Sequence, residues 1–142
     1  MPSDILIIDD EADIRGLVAG ILEDEGHGTR TAGDTDTALA EIEKRRPTLI
    51  FLDIWLTGSR IDGLALLDII KAQHPDLPVV MISGHGNIET AVSAIRRGAY
   101  DYIEKPFKAD RLLLIAERAL EASKLRREVR DLRERAGDVG RL

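Results

Sequence analysis

The sequence predicts an α/β fold in which one parallel β-sheet is covered by helices on both faces. Short apolar runs alternate with helical patterns from one end of the chain to the other. The runs are continuously apolar, which is typical of strands that are buried on both faces. Short connections join the two kinds of segment, and this order of elements favours parallel strands with helical crossovers.

Four apolar runs predict buried strands, and each of them stops at a polar or turn-forming residue. They span residues 5–8, 48–52, 77–82 and 100–103, of which the last is the weakest. The segment Gly-Thr-Arg-Thr at 28–31 is the poorest strand candidate, because it offers almost no apolar surface to a core. We therefore place it at an edge of the sheet.

Apolar residues at spacings of three and four predict the helices between these strands. The first helical pattern consists of Ile14, Leu17, Val18, Ile21 and Leu22, and it ends at Gly26. The next three patterns are Ala38-Leu39-Ile42 before Pro47, Leu64-Leu67-Ile70 before His74-Pro75, and Ile88-Ala91-Val92-Ile95 between the N-cap candidate Asn87 and Gly98. The last helix begins near Ala109.

Length and composition are those of one domain with a sizeable core. The chain has 142 residues, of which 44% are hydrophobic, and its formal net charge is −6. It has no cysteine, which excludes disulfide scaffolds and thiolate chemistry. No apolar run approaches the roughly 18 residues of a membrane helix, and the acidic start does not resemble a secretory signal. We expect a soluble, cytoplasmic protein without membrane partners.

The last helix continues past the acidic body into a basic extension. Residues 1–122 hold 13 Lys/Arg and 22 Asp/Glu, whereas residues 123–142 hold seven and four. We expect a complete domain at 1–122 and a linker helix at 123–142, which Gly137 and Gly140 should end. Its apolar stripe comprises Leu112, Ile115, Ala119, Ala122, Leu125, Val129, Leu132 and Ala136. The stripe predicts a short coiled-coil dimer, although it could instead pack on its own domain or fray. No DNA-reading motif accompanies the basic residues.

Polar side chains follow four of the predicted strands. Asp9 and Asp10 follow the first strand, Asp53 the third, Ser83 the fourth and Lys105 the fifth. Ligands of open parallel sheets bind at the carboxyl ends of the strands, so these groups should lie together. Each has an ordinary alternative role, as a helix cap, a turn residue or a solvated charge, but the combination favours a site.

Three carboxylates that lie together repel one another, and a cation between them relieves the repulsion. Oxygen ligands of this kind select Mg²⁺. A carboxylate can also attack a phosphoryl group to form an aspartyl-phosphate, while a metal ion and a lysine neutralise the charge on the transferring group. The sequence therefore predicts Mg²⁺-dependent phosphoryl transfer to an aspartate.

The four motifs together resemble those of response-regulator receiver domains. They are Ile-Ile-Asp-Asp-Glu at 7–11, Phe-Leu-Asp at 51–53, Met-Ile-Ser-Gly at 81–84 and Tyr-Ile-Glu-Lys-Pro-Phe at 102–107. The resemblance covers residues 4 to about 122. It implies a flavodoxin-like sheet of strand order 2-1-3-4-5 with five helices, a partner histidine kinase, and no enzymatic activity beyond self-catalysed phosphoryl transfer and autodephosphorylation.

The resemblance also implies a role for each site residue. Asp53 is the phosphoacceptor, and Lys105, whose bond to Pro106 is expected to be cis, binds the phosphoryl group. Asp10 and Asp53 ligate Mg²⁺ directly, Asp9 through water, and Trp55 through its backbone carbonyl. Ser83 is the switch hydroxyl, and Tyr102 is the aromatic residue that follows it.

The chain departs from the receiver pattern beside the phosphoacceptor. Thr57 replaces the usual proline, and Asp62-Gly63 arrives two residues late, so residues 57–61 hold an insertion. Together with His85, these features resemble the receivers of NtrX-type, sigma-54-associated regulators of the NtrC family. That resemblance implies nitrogen-related transcription control through an ATPase module and a DNA-binding module outside this chain. It also implies dimerisation through the fourth helix, fifth strand and fifth helix.

Trp55 and His85 lie two positions after the phosphoacceptor and the switch residue. In this fold both would flank the path of a water molecule that attacks the phosphoryl group. We expect Trp55 to shield that group and lengthen its lifetime. The alternative is that Trp55 only covers apolar surface.

Two other functions are weaker hypotheses for the same residues. A phosphohydrolase of the haloacid-dehalogenase type would need a second aspartate where Trp55 stands, and it would need a cap insertion. A receiver that has lost phosphorylation and serves only for dimerisation would not need the complete acidic set.

Overall fold

Strands and helices alternate along the whole described chain. The computed structural model describes residues 3–56, 62–84 and 88–140. The elements are β1 Asp4–Ile8, α1 Ala12–Asp24, β2 Gly28–Ala32, α2 Thr35–Lys44, β3 Leu49–Asp53, α3 Gly63–Gln73, β4 Val79–Ser83, α4 Ile88–Arg96, β5 Asp101–Glu104 and α5 Ala109–Gly140. The predicted α/β class is confirmed, and the element bounds differ from the predicted ones by only a few residues.

The five strands form one parallel sheet in the order β2-β1-β3-β4-β5. The chain runs from β1 outward to β2 and then returns to the other side of β1 with β3. Because the direction of winding reverses there, the ends of β1 and β3 lie beside the crevice in which such folds bind ligands. The strand order and the edge position of β2 are both confirmed.

Two apolar cores lie on the two faces of the sheet. Leu6 and Ile8 of β1 face the core formed with α2, α3 and α4, whereas Ile5 and Ile7 face the core formed with α1 and α5. All five residues of β3 and of β4 are buried. This double coverage explains why the runs are continuously apolar.

A charged side chain anchors the edge strand β2, which contributes one buried apolar residue, Ala32, to the core. The guanidinium of Arg30 lies against the carboxylate of Asp4, with Nε–Oδ1 and Nη2–Oδ2 distances of 2.9 Å. It also donates to the main-chain oxygen of Glu41 at the end of α2, at 2.7 Å. These bonds join β2 to β1 and α2, and they compensate for the poor strand sequence.

Two predicted helix ends lie at glycines, and α2 begins at a side-chain cap. Gly26 and Gly98 have φ angles of 89° and 106°, the left-handed region that glycine adopts without strain. Asp34 caps α2 by accepting a hydrogen bond from the Thr37 N–H at 2.7 Å. The N-cap proposed for the fourth helix, Asn87, lies outside the described residues.

Helix α5 runs past the first of the two glycines that were expected to end it. It continues through Gly137 and ends at Gly140, because one glycine costs a helix only about 1 kcal/mol relative to alanine. The expectation that Gly137 would stop it is therefore wrong. Among the helices in the described ranges, none is both long and apolar enough to span a membrane.

The apolar stripe of α5 divides into two parts. Leu112, Ile115 and Ala119 are buried against the sheet. Leu125, Val129 and Leu132 are 51%, 46% and 62% exposed. The first part therefore completes the domain core, and the second part presents apolar side chains on a helix that extends beyond that core.

Candidate functional site

The predicted polar residues converge at the carboxyl edge of the sheet. Asp9 follows β1, Asp53 ends β3, and both are buried, with exposures of 0% and 4%. Asp10 is half-buried beside them. Asp9, Asp10 and Asp53 each offer a carboxylate oxygen, and these three atoms lie within 4.8 Å of one another. The structure therefore forms the acidic cluster that the strand ends predicted.

Lys105 brings positive charge to this cluster from the end of β5. Its Nζ atom lies 3.1 Å from Oδ2 of Asp9 and 3.6 Å from Oδ2 of Asp53. Glu11, which the sequence did not single out, places Oε1 3.6 Å from the same nitrogen. The Lys105–Pro106 bond is cis, as expected. Lys105 thus contacts both buried carboxylates.

Ser83 and Tyr102 lie on β4 and β5, the two strands that follow β3 in the order of the sheet. Ser83 ends β4 and is buried, and its main-chain oxygen accepts a hydrogen bond from the Lys105 N–H at 2.6 Å. Tyr102 pairs with Met81 of β4, and its side chain is 36% exposed. The two residues expected to form a switch therefore lie on adjacent strands, with Ser83 buried and Tyr102 at the surface.

Trp55 lies directly beside the candidate phosphoacceptor. Its backbone N–H donates to Oδ1 of Asp53 at 3.3 Å, and its side chain is 52% exposed. Its carbonyl as a metal ligand remains a prediction. Thr57, the insertion at 57–61 and His85 lie outside the described residues.

The cluster has more negative charge than its lysine can balance. Burial, with the nearby charge of Asp9, raises the pKa of Asp53 to about 7, despite the opposing charge of Lys105. Burial also raises the pKa of Asp9. Burial lowers the pKa of Lys105, but the charges of Asp53, Asp9 and Glu11 outweigh it, so the net shift is upward. A further cation would relieve this repulsion.

The donor set fits a hard divalent cation. Oδ1 of Asp9 accepts a hydrogen bond from the Glu11 N–H at 2.9 Å. Within the described chain, the buried Oδ2 of Asp9 accepts no hydrogen bond and has only the ion contact with Lys105. Oxygen atoms that lack hydrogen bonds and share a charged cluster are the ligands that such ions take.

Gly63 places the start of α3 directly against the end of the strand that carries Asp53. Its N–H donates to the main-chain oxygen of Ile54 at 2.9 Å. A Cβ atom on Gly63 would lie 2.2 Å from the oxygen of Asp53 and 2.6 Å from that of Ile54. The start of α3 therefore packs directly on the backbone that carries Asp53, and only glycine leaves room for it. Sequence reasoning noted this glycine but not its contact.

Comparisons with known proteins identify relatives of this chain. A model of the response regulator receiver domain family matches residues 5–117. The nitrogen assimilation regulatory protein NtrX of Azorhizobium caulinodans is 75% identical over 134 residues, which are 94% of this chain and 30% of that protein. The chain thus spans about 30% of the length of the curated relatives it matches first.

Solved structures of NtrX proteins are similar to this chain in both fold and sequence. The receiver domain of NtrX from Brucella abortus has 80% sequence identity and a TM-score of 0.82, and the match covers 83% of this chain and 98% of that one. A structure of NtrX from the same organism has 78% identity and a TM-score of 0.91, covering 96% of this chain and 30% of that one.

Replacing Gly63 with alanine should destabilise the domain by about 3 kcal/mol or more, since the new Cβ atom overlaps two main-chain oxygens. Urea unfolding would measure the loss. The matched control is Gly16→Ala in α1, where the Cβ atom meets nothing within 4 Å and alanine should stabilise the helix by about 0.5–1 kcal/mol. Equal stabilities of the two variants would contradict the assigned contact.

Proposed function

The chain belongs to the response regulator receiver domain family and has close relatives among NtrX proteins, and we propose that phosphorylation of Asp53 sets its state. The observation that carries this proposal is the convergence of Asp53 with two further carboxylates and Lys105 at one edge of the sheet. A carboxylate oxygen of Asp53 would form the new bond to phosphorus, while the bond between phosphorus and a donor histidine nitrogen breaks.

We assign a Mg²⁺ ion to the acidic cluster. Asp10 and Asp53 would hold it directly, Asp9 through water, and Trp55 through its carbonyl oxygen. When bound, the ion supplies the positive charge that the carboxylates and the phosphoryl oxygens need. Lys105, 3.6 Å from Oδ2 of Asp53, would hold a phosphoryl oxygen on the other side.

Ser83 and Tyr102 would transmit the change. The Ser83 hydroxyl would donate to the phosphoryl group, and Tyr102, now 36% exposed, would follow it inward. These movements would reshape the face formed by α4, β5 and α5, on which Ile88, Val92 and Ile95 are exposed. Phosphorylation would thereby shift the equilibrium between two conformations of this face.

A histidine kinase would be the phosphodonor, as membership of a two-component family implies. A groove of about 260 Å³ adjoins Lys105, and the half-exposed Leu17 lines it with Ile14 and Phe107. An apolar groove beside the acceptor suits a kinase helix that presents a phosphohistidine. The domain is a signalling module, so its own chemistry would be limited to phosphoryl transfer and autodephosphorylation.

The output would be transcription control in the cytoplasm through further modules of a longer protein, with residues 123–142 as the linker helix. The name of the Azorhizobium relative, a nitrogen assimilation regulatory protein, supports a nitrogen-related role. DNA would be contacted by such a module and not by this domain.

We further assign a homodimer to this chain. The exposed part of the α5 stripe, Leu125, Val129 and Leu132, has the spacing of a coiled-coil seam, and the exposed α4 residues would extend the contact.

Incubation with Mg²⁺ and acetyl phosphate should add one phosphoryl mass to the native chain, measured on the intact protein. Asp53→Asn should abolish the addition, because the amide is not a nucleophile for phosphorus. The control is Asp110→Asn, which removes an exposed carboxylate from the first turn of α5. A native chain that gains no mass, or an Asp53→Asn chain that gains it equally, would refute the phosphoacceptor assignment.

Trp55→Asn should shorten the phosphoryl lifetime several-fold, since we expect the half-exposed indole to cover the approach to Asp53 and an amide would leave that approach open to water. Loss of the added mass after donor removal gives the rate. Trp55→Phe, which keeps an apolar cover, should retain a lifetime close to the native one. Unchanged or slower dephosphorylation in Trp55→Asn would leave the indole as a surface cover only.

Replacing Leu125, Val129 and Leu132 together with glutamate should make the chain monomeric, because charges in a coiled-coil seam are desolvated on association. Sedimentation equilibrium over a range of concentrations would report the mass. Leu17→Glu, an equally exposed leucine on α1, serves as the control and should still dimerise. A native chain that stays monomeric at every concentration excludes the assigned dimer.

A further inference from the structure

Arg15 contacts the acidic turn from the first helix. It is half-buried on α1, and its Nη1 atom donates to the main-chain oxygen of Asp9 at 2.8 Å. This oxygen belongs to the peptide unit that joins Asp9 to Asp10. Arg15 therefore holds the backbone between two members of the acidic cluster rather than either carboxylate.

Gly33 provides the space that this guanidinium occupies. A Cβ atom on Gly33 would lie 3.0 Å from Nη1 of Arg15 and 3.5 Å from its Cζ atom. Gly33 is not among the described glycines with positive φ, so its backbone would accept a side chain. What a side chain at this position would meet is the guanidinium of Arg15.

The turn between β1 and α1 is fixed at three points. The Asp9 N–H donates to the oxygen of Ala32 at 3.1 Å, and the Glu11 N–H donates to Oδ1 of Asp9 at 2.9 Å. The bond from Arg15 to the Asp9 oxygen is the third. The first two hold Asp9, whereas the third sets the plane of the peptide that leads into Asp10.

We propose that Arg15 is a positioning residue that aims Asp10 at the cation site, and that Gly33 leaves the guanidinium the room to do so. Asp9 is fully buried and is also held by Lys105, but Asp10 is only partly buried and has less packing to fix it. The direction of its carboxylate therefore depends on the peptide plane before it. This inference rests on the cation site proposed above.

The role is geometric rather than electrostatic. Lys105 is the cation that contacts the carboxylates of Asp9 and Asp53. The hydrogen bond of Arg15 goes instead to a main-chain oxygen. Removing Arg15 should thus leave the Lys105 contacts in place while the direction of Asp10 is lost. Partners that orient a metal ligand in this way typically change metal affinity by 10–100-fold.

The test measures binding of Mn²⁺ alone, from the loss of its free-ion electron paramagnetic resonance signal, with Mg²⁺ as competitor. Arg15→Ala should weaken binding on the order of tenfold, and Arg15→Lys, which keeps a donor, should recover part of the loss. Arg118→Ala, an exposed arginine on α5, controls for the removed charge and should bind as the native chain does. Circular dichroism with a chelator present confirms that each variant is folded.

Gly33→Ala separates the positioning role from simple destabilisation. With Arg15 present, the alanine should push the guanidinium aside and weaken Mn²⁺ binding. In an Arg15→Ala background the same alanine should have no effect, because the group it displaces is gone. Equal effects in both backgrounds, or folded Arg15→Ala with native affinity, would overturn the inference. A native chain that binds no Mn²⁺ would instead refute the cation site itself.

Discussion

The structure depends on keeping buried carboxylates together at one edge of the sheet. Asp9 and Asp53 lose water on folding and lie close enough to repel, and the contacts of Lys105 offset only part of this cost. Burial and this repulsion raise the pKa of Asp53 to about 7. The arrangement costs stability. Because this edge of the sheet carries too little positive charge, it favours binding of a cation and of a phosphoryl group bound to that cation.

The rest of the fold supplies the rigidity that this arrangement requires. The strands β3 and β4 are buried along their whole length, so neither can move away from its neighbour without exposing apolar surface. The start of α3 lies against the backbone of Asp53 at Gly63, and a hydrogen bond to Ile54 holds it there. Apolar burial on both faces of the sheet therefore offsets the charge repulsion at its edge.

Sequence reasoning succeeded where local pattern and topology were sufficient. Continuous apolar runs gave the strands, and the meeting of parallel strand ends gave the acidic cluster and Lys105. It missed contacts made by elements that are distant in sequence, such as Arg15 with Gly33, because no periodicity marks them. It also ranked β2 low for the same reason, since Arg30 stabilises that strand through Asp4 and α2. The prediction that Gly137 ends α5 failed because one glycine lowers helix stability only slightly, which is not enough to end a long helix.

Helix α5 is one continuous helix that begins close to the site and extends to the far end of the chain. The Lys105 N–H donates a hydrogen bond to the main-chain oxygen of Ser83, which ties the end of β5 to the end of β4. Helix α5 begins at Ala109, four residues later, and runs unbroken to Gly140. Its buried part, with Leu112 and Ile115, packs on the sheet, while its other part carries the exposed stripe. A change in charge at the site that moves Lys105 would therefore reach the exposed stripe through one helix, and a pairing of two stripes would in turn restrain the site.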